Sequence, residues 1–208
     1  MSNKKKFYGV NDSNWGHKWG YMDSGFIINE DMSVTFTGNR YPICGKRLPN
    51  FIPFVEEILG VRFDTRPKLQ EVDKTHVTES RVNKPFLEEL RKSFEENRFT
   101  LEHNERVLHS HGQHSTDEVY KVLYNKLEKF TDLVFYIESE EETKKLIDLA
   151  KKHNVCLIPY GGGTNVTNAL RPPKEESRMV VSVDTRRMNK IETLDEENLM
   201  VVVQAGIT

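Results

Sequence analysis

The feature that most constrains this 208-residue chain is a run of three glycines directly after an apolar stretch. Residues 155–158 are apolar and predict a buried strand, which continues through Pro159 and Tyr160 into Gly161-Gly162-Gly163-Thr164-Asn165. Glycines permit positive φ and let the backbone approach a ligand closely, and successive N–H groups can converge on a phosphate. A tight turn without a ligand is the alternative, although three ordered glycines cost considerable chain entropy.

A strand–helix–strand unit sets the position of these glycines in a sheet. Residues 132–137 predict a buried strand, and the capping box 139–142 opens a helix with Leu146, Ile147 and Ala150 facing inward. Such a unit has parallel strands and a right-handed crossover. Because ligands bind at the carboxyl ends of strands in open α/β sheets, the glycines lie where a ligand is expected.

The chain divides into two zones of different character. Residues 1–128 are irregular and aromatic-rich, with helices that begin at Asn83 and at Ser115, the latter through a capping box with Glu118. Residues 129–208 alternate between strand and helix patterns. We therefore predict an α+β / α/β fold, in which an irregular and helical N-terminal region precedes an α/β domain.

The chain's composition excludes several classes of protein. The 30 Lys+Arg against 32 Asp+Glu give a net charge of −2, which provides no overall attraction to nucleic acid or to anionic membranes. No apolar run approaches the roughly 20 residues of a membrane span, and no signal-peptide pattern opens the chain. Cys44 and Cys156 cannot form a disulfide framework. A membrane-spanning protein, a disulfide-rich secreted module and a DNA-coating protein are thereby excluded.

The last residues predict a hairpin whose second strand is buried. Residues 190–194 and 199–203 are strand-like and flank the turn 195–198, and the chain stops five residues later. A buried strand is expected to have a partner element after it, so we expect the sequence to be a piece of a longer protein. A C-terminal strand with a short tail is the alternative.

The residues around the glycines narrow the type of phosphate ligand. A P-loop requires Gly-Lys-Ser/Thr, whereas Gly163 is followed by Thr164. The Rossmann fingerprint requires a third glycine where Val166 stands, and then a helix, which Pro172-Pro173 interrupts before the acidic Asp184. A flavin dinucleotide held by a glycine loop of another type fits better.

The histidine-rich segment 109–114 has the residue type of a metal site but not the spacing. Structural zinc needs further cysteine or carboxylate ligands at defined positions, and Cys44 and Cys156 lie far away in the sequence. We predict no metal site, and we place these histidines in a loop before Ser115. Cys156 is predicted to be a small core residue and not a catalytic thiol.

The segment 158–166 resembles the first FAD-pyrophosphate loop of the vanillyl-alcohol-oxidase type flavoproteins, which have an FAD-binding domain of the PCMH type. Further blocks resemble the alkyldihydroxyacetonephosphate synthase family, namely residues 19–24, 37–42, Gly45 with 48–49, 106–112, and 183–185 with 188–189. The likeness runs from about residue 15 to the end of the chain. It implies that residues 129–208 are the first, incomplete part of such an FAD-binding domain.

The resemblance implies an FAD-dependent enzyme of ether-lipid synthesis, which exchanges the acyl chain of acyl-dihydroxyacetone phosphate for a long-chain fatty alcohol without net redox change. It implies FAD contacts along the loop, at Pro159, Tyr160, Gly161, Gly162, Gly163, Thr164 and Asn165. Tyr160 departs from the family, which often has an aliphatic residue there, but the backbone role is unaffected. The family's catalytic residues match no position of this chain.

The resemblance also implies a peroxisomal location, peripheral membrane contact and a homodimer, with no nucleic-acid partner. No targeting signal is visible in the sequence, and this chain alone is expected neither to hold FAD tightly nor to turn over substrate. Two alternatives stay open. One is another flavoenzyme of the superfamily, such as a 2-hydroxyacid dehydrogenase or oxidase, and the other is a non-catalytic flavin-domain fragment that only binds partners.

Overall fold

The computed structural model describes residues 24–39, 41–64 and 77–207. Its elements are, in chain order, β1 (Phe26–Ile28), β2 (Val34–Phe36), β3 (Arg47–Leu48), α1 (Phe51–Leu59), α2 (Lys84–Ser93), β4 (Phe99–Thr100), α3 (His103–Leu108), α4 (Thr116–Leu123), β5 (Leu133–Tyr136), α5 (Glu140–Lys152), β6 (Cys156–Tyr160), β7 (Val180–Asp184), β8 (Ile191–Asp195) and β9 (Met200–Val203). In these ranges no helix has the length and apolarity that a bilayer crossing requires. Residues 19–23 and Arg40, which carry part of the family resemblance, lie outside the described residues.

The sheet that carries the glycine loop has four strands in the order β4-β5-β7-β6. β7 pairs in parallel with both β5 and β6, and Tyr136 and Tyr160 each lie opposite Asp184 at the carboxyl end. The predicted strand–helix–strand unit is therefore parallel, with β7 inserted between its two strands. At the other edge, β4 pairs antiparallel with β5. The alternation of strands and helices confirms the predicted α/β character.

Helices α2 and α5 build the main core with this sheet. Phe86 and Leu90 of α2 are fully buried in one apolar cluster with Leu133 and Phe135 of β5. Asn83 caps α2 as predicted, because its side-chain oxygen accepts a hydrogen bond of 3.1 Å from the N–H of Phe86. The apolar face of this helix is thus the face that it buries.

The inward face of α5 differs by one residue from the prediction. Leu146 and Ala150 are buried as predicted, but Ile147 is 43% exposed and Leu149 is buried. Residues three and four apart share a helix face, so Leu149 and Ala150 lie over Leu146 while Ile147 turns away. The assignment of Ile147 to the core was wrong.

In both predicted capping boxes the hydrogen bond to the serine hydroxyl is present, but the predicted hydrogen bond to the glutamate carboxylate is not. The hydroxyls of Ser115 and Ser139 accept hydrogen bonds of 3.2 Å from the N–H groups of Glu118 and Glu142. The carboxylates do not return to the N-cap N–H groups. Glu118 accepts from Gly112, at 3.1 Å, and Glu142 accepts from the residue before Ser139, at 2.9 Å. Each carboxylate therefore ties its helix to the preceding loop.

The N-terminal strands form a small sheet of their own, which the first helix follows. β1 and β2 form an antiparallel pair around a turn at residues 29–31, and β3 adds to β2. α1 ends at Gly60, which has a φ of 63° and so supplies the left-handed terminus that glycine favours. Within residues 62–82, the described residues contain no helix or strand.

The hairpin of β8 and β9 is present, but it is not buried. The two strands form a separate two-stranded sheet. Val201, Val202 and Val203 are 53%, 51% and 41% exposed. The expectation of a buried strand at 199–203 is therefore wrong, because no further layer of described residues covers the hairpin.

The division of the chain near residue 128 stays a prediction, and the sheet core includes residues from both sides of it. α2 and β4 precede this position, yet α2 packs against α5 and β4 pairs with β5. No sequence pattern predicts β4, which is only two residues long. The α/β domain as the structure has it uses structural elements from about residue 83 onward.

The replacement Leu90→Ala tests the role of α2 in this core. Because Leu90 is fully buried, we expect the free energy of unfolding of the 208-residue chain to fall by about 2–5 kcal/mol in urea titrations. Lys92→Ala on the exposed side of the same helix is the matched control and should change it by less than about 0.5 kcal/mol. Equal effects of the two replacements would contradict the packing of α2 on the sheet.

Candidate functional site

The glycine loop lies at the carboxyl edge of the three parallel strands. β6 ends at Tyr160 and leads into residues 161–165, and the neighbouring strands end at Asp184 and Tyr136. The exit of β7 is joined to the loop, because the N–H of Thr185 donates a hydrogen bond of 3.0 Å to the carbonyl oxygen of Tyr160. The predicted position of the loop is therefore the observed one.

The three glycines do not serve the same purpose. Gly163 has a φ of 69°, and a Cβ there would clash with the hydroxyl group of Tyr160, so the fold itself requires this glycine. Gly161 and Gly162 lie outside the left-handed region, and a Cβ on either would meet nothing within 4 Å. Neither the backbone nor the packing of the described chain explains glycine at these two positions.

The open side of the loop has the properties of an anion cradle. Gly161, Gly162 and Thr164 are exposed, and the N–H groups of the three glycines donate no hydrogen bond to another described residue. Unpaired, neighbouring N–H groups without side chains in front of them can converge on phosphate oxygens. The residues therefore fit a pyrophosphate, and side chains at 161 and 162 would fill the space that such a ligand needs.

Pro159 and Tyr160 occupy the strand end in different ways. Pro159 is exposed on β6, an edge strand, where a missing N–H removes no ladder hydrogen bond. Tyr160 is buried, and its ring lies 4.4 Å from the ring of His109 and beneath Gly163. The side chain of Tyr160 thus supports the loop from below, and only its backbone belongs to the open side.

Asn165 is held inside the protein by both ends of its amide. It has a φ of 56°, a left-handed conformation that asparagine tolerates better than most residues. Its Oδ1 accepts a hydrogen bond of 2.8 Å from the N–H of Leu170, and its Nδ2 donates to the carboxylate of Glu118. The side chain of Asn165 shapes the loop exit, which leaves its backbone for the predicted cofactor contact.

Glu118 is a fully buried carboxylate beneath this exit. It accepts hydrogen bonds from the side chain of Asn165 and from the N–H of Gly112, the latter at 3.1 Å. Gly112 has no room for a side chain, since a Cβ would clash with the Cβ of Asn165 and lie 2.8 Å from the carbonyl oxygen of Thr164. The loop is therefore in direct contact with the segment before Ser115.

A second buried polar group joins the same segment to β7. The carboxylate of Asp184 accepts hydrogen bonds from Nε2 of His109, at 2.7 Å, and from Nε of Arg186, at 2.8 Å. Burial acts to raise the pKa of Asp184, but the hydrogen bonds from His109 and Arg186 outweigh it and hold this pKa below 3.8. The ionised Asp184 fixes the guanidinium of Arg186, which lies 5.7 Å from the ring of Tyr160.

His111 is buried in the same layer with one ring nitrogen unused. Its Nδ1 lies 2.9 Å from the carbonyl oxygen of Gly112 and must donate, because a carbonyl only accepts. Its Nε2 has no partner among the described residues. Burial lowers the pKa of His111 below 6.5, so the ring is kept neutral.

The sequence pattern indicates the loop but not the groups that support it. Glu118 has the pattern of a capping residue, and Asp184 has only that of the acidic residue in a nucleotide site that the prolines exclude. The available signal was the unusual number of polar residues in 109–114 directly before a helix. Their partners, Asn165 and Asp184, are 47 and 75 positions away in the sequence.

Comparisons with known proteins give the loop a context. A family model described as an FAD binding domain matches residues 131–208. Alkyldihydroxyacetonephosphate synthase of Caenorhabditis elegans is 39% identical over 191 residues, which cover 91% of this chain and 31% of that protein. A solved structure of an alkyldihydroxyacetonephosphate synthase superposes with a TM-score of 0.79 at 28% identity and covers 92% of this chain and 36% of that one.

A second group of relatives is similar over a shorter part. The mitochondrial cytochrome D-lactate dehydrogenase of Arabidopsis thaliana is 29% identical over 126 residues, which cover 61% of this chain and 20% of that protein. The chain thus spans about a third of the length of the alkyldihydroxyacetonephosphate synthases that it matches.

The lowered pKa of His111 predicts a pH dependence of stability. Its folded pKa lies below the unfolded value of 6.5, so the unfolded state takes up a proton first as the pH falls. The free energy of unfolding should therefore decrease below about pH 6.5, by at most about 1.4 kcal/mol per pH unit. In urea titrations across this range, His111→Asn should lower the free energy of unfolding at high pH. It should also remove the part of the acid-dependent decrease that comes from His111.

His114→Asn is the matched control, because His114 is exposed in the same segment. It should leave the pH profile of the wild-type chain unchanged. A His111→Asn profile that remains parallel to the wild-type profile would contradict the buried neutral state of this ring.

Proposed function

The chain is homologous to the alkyldihydroxyacetonephosphate synthases over most of its length, and from this we propose that the protein catalyses the FAD-dependent step of ether-lipid synthesis. In this reaction the acyl chain of acyl-dihydroxyacetone phosphate is exchanged for a long-chain fatty alcohol. The products are alkyl-dihydroxyacetone phosphate and a fatty acid. Acyl-dihydroxyacetone phosphate and the fatty alcohol are thus the proposed substrates.

The observation that carries this proposal is the extent of the similarity. The FAD-binding family model begins at residue 131, whereas the match to the Caenorhabditis elegans synthase extends over 191 residues. It therefore includes much of the segment that precedes the FAD-binding domain. Similarity limited to the glycine loop and its strands would support only membership of a broad class of flavoproteins.

FAD is the cofactor of the matched domain, and we assign its pyrophosphate to the open side of the loop. The backbone of Gly161, Gly162 and Gly163 would hold the phosphate oxygens, with the hydroxyl group of Thr164 as a further donor. Tyr160 and Asn165 would keep the curvature of the loop from below. When bound, FAD supplies the isoalloxazine ring at which the exchange takes place without net redox change.

A 2-hydroxyacid dehydrogenase or oxidase is the second candidate function. It is supported by the match to the Arabidopsis thaliana D-lactate dehydrogenase, which covers a smaller share of this chain at lower identity. The two candidates share the flavin loop and differ in substrate. An activity assay with each substrate therefore distinguishes them, whereas a measurement of bound flavin does not.

Three further properties are part of the proposal and rest on the family resemblance. We propose a peroxisomal location, a peripheral contact with the membrane that supplies the lipid substrates, and a homodimer. The near-balanced charge of the chain supports the absence of a nucleic-acid partner.

The proposed FAD contact is tested by Gly162→Val in the full-length protein. A Cβ at 162 meets nothing in the fold, so the folded state should keep its thermal stability without FAD. The side chain would instead block the approach of the pyrophosphate, and the purified variant should lose its flavin absorbance.

Gly163→Ala is the matched comparison, and it should destabilise the fold itself instead of blocking the ligand. Its positive φ and the contact with Tyr160 predict a loss of about 1–2 kcal/mol in the stability of the apoprotein itself. A yellow Gly162→Val protein with one flavin per chain would refute the assignment of the loop.

The reaction is tested with the full-length, FAD-loaded protein. We expect release of fatty acid from acyl-dihydroxyacetone phosphate that depends on added fatty alcohol, with incorporation of the labelled alcohol into product. A protein that holds FAD, performs no exchange and oxidises D-lactate would overturn the proposal in favour of the second candidate.

A further inference from the structure

The carboxylate of Glu118 is a charged group for which neither the apolar core nor the proposed reaction accounts. It is fully buried, and it lies in the first turn of α4, outside the residues matched by the FAD-binding family model. Burying a carboxylate is costly unless donors surround it. The guanidinium of Arg171 lies 4.0 Å from this carboxylate, beyond hydrogen-bond distance, and the hydrogen bonds to the carboxylate come from neutral donors.

Two donors reach Glu118 from loops outside its own helix. One is the N–H of Gly112, at 3.1 Å, and the other is the side-chain amide of Asn165 at the exit of the glycine loop. Because the amide nitrogen is held by Glu118, the amide oxygen is oriented toward the N–H of Leu170, 2.8 Å away. The carboxylate therefore fixes which way the Asn165 side chain points.

Asn165 is the residue whose backbone turns the chain out of the loop. Its φ of 56° is a left-handed conformation, and it follows Gly163 with a φ of 69° by two residues. Gly112 packs directly against Asn165 and Thr164, with no space for a side chain. Asn165, Gly112 and Glu118 thus form one contact that holds the loop exit in place.

We propose that Glu118 is a positioning residue for FAD, which acts by holding Asn165 and thereby the curvature of the glycine loop. The inference rests on the proposed FAD contact of that loop. With Glu118 in place, the N–H groups of the glycines are arranged before the ligand arrives, and the cost of ordering them does not reduce the affinity. The segment before the FAD-binding domain would in this way determine how tightly FAD is held.

The hydrogen-bond pattern of this contact provides a specific test. The amide of Asn165 and the N–H of Gly112 donate to the same carboxylate oxygen, Oε1 of Glu118. Glu118→Ala removes that acceptor and leaves both donors unpaired. Glu118→Gln keeps an acceptor oxygen at the same place and removes only the charge, so it separates the hydrogen bonds from the charge.

Asn165→Asp tests the same contact from the other side. It brings a second carboxylate against that of Glu118, and two like charges then face each other in a buried site without a donor between them. In the double variant Glu118→Gln/Asn165→Asp, the amide at position 118 removes the repulsion between two carboxylates, and its NH2 group can donate to the carboxylate at position 165 at the expense of the acceptor for the N–H of Gly112. Adding Glu118→Gln should therefore restore part of the FAD affinity that Asn165→Asp removes.

The experiment measures FAD affinity by titrating FAD into the apo form of the full-length protein, with thermal unfolding of the same apo samples. We expect Glu118→Ala and Asn165→Asp each to weaken FAD binding about tenfold or more, and Glu118→Gln to weaken it by less than about threefold. The double variant should bind FAD more tightly than Asn165→Asp alone. Glu102→Gln is the matched control, because Glu102 is an exposed residue that carries the same carboxylate at the start of α3, and it should change the affinity by less than about twofold.

Each outcome decides the inference. Wild-type affinity in Glu118→Ala would overturn it, and so would a double variant that binds FAD no better than Asn165→Asp. Where Glu118→Ala does not fold, the comparison of Asn165→Asp with the double variant decides alone. Recovery of FAD affinity in the double variant supports the inference, because it shows that residues 118 and 165 act through their contact with each other. A wild-type full-length protein that binds no FAD would instead refute the proposed function, which keeps the two failures distinguishable.

Discussion

The carboxyl edge of the sheet depends on two carboxylates that are buried below it and are held by hydrogen-bond donors. Asp184 is paired with His109 and Arg186, and Glu118 with Gly112 and Asn165. An unpaired buried donor or acceptor costs about 1–3 kcal/mol, so these pairs cannot be separated without loss of stability. The segment of α3 and α4 is therefore as much a part of the loop's support as the parallel strands.

Local patterns predicted the elements that depend on local causes. The chain is continuously apolar over residues 133–137 and 155–158, and the helices after Asn83, Ser115 and Ser139 carry caps that the structure contains. The place of the glycine loop followed from the parallel strand–helix–strand unit that leads into it. The fold class and the open side of the site were therefore accessible from the sequence.

The features that the sequence did not reveal depend on distant partners. β4 is too short to have a periodicity, and it is a strand because β5 lies beside it. Glu118 matched the pattern of a capping residue, and only the fold brings Gly112 and Asn165 close enough to draw its carboxylate away. The exposure of 199–203 was missed for the related reason that an apolar run predicts a strand but not what covers it.

The uncovered hairpin has a consequence for handling the chain in solution. β9 consists of Met200-Val201-Val202-Val203, and in the described structure only β8 pairs with it, so its outer edge presents free backbone groups. A β-branched edge without lysine or proline is a template for strands of other molecules. Self-association of this chain would accordingly begin at β9, and a lysine introduced at its edge would oppose aggregation without disturbing the sheet that carries the loop.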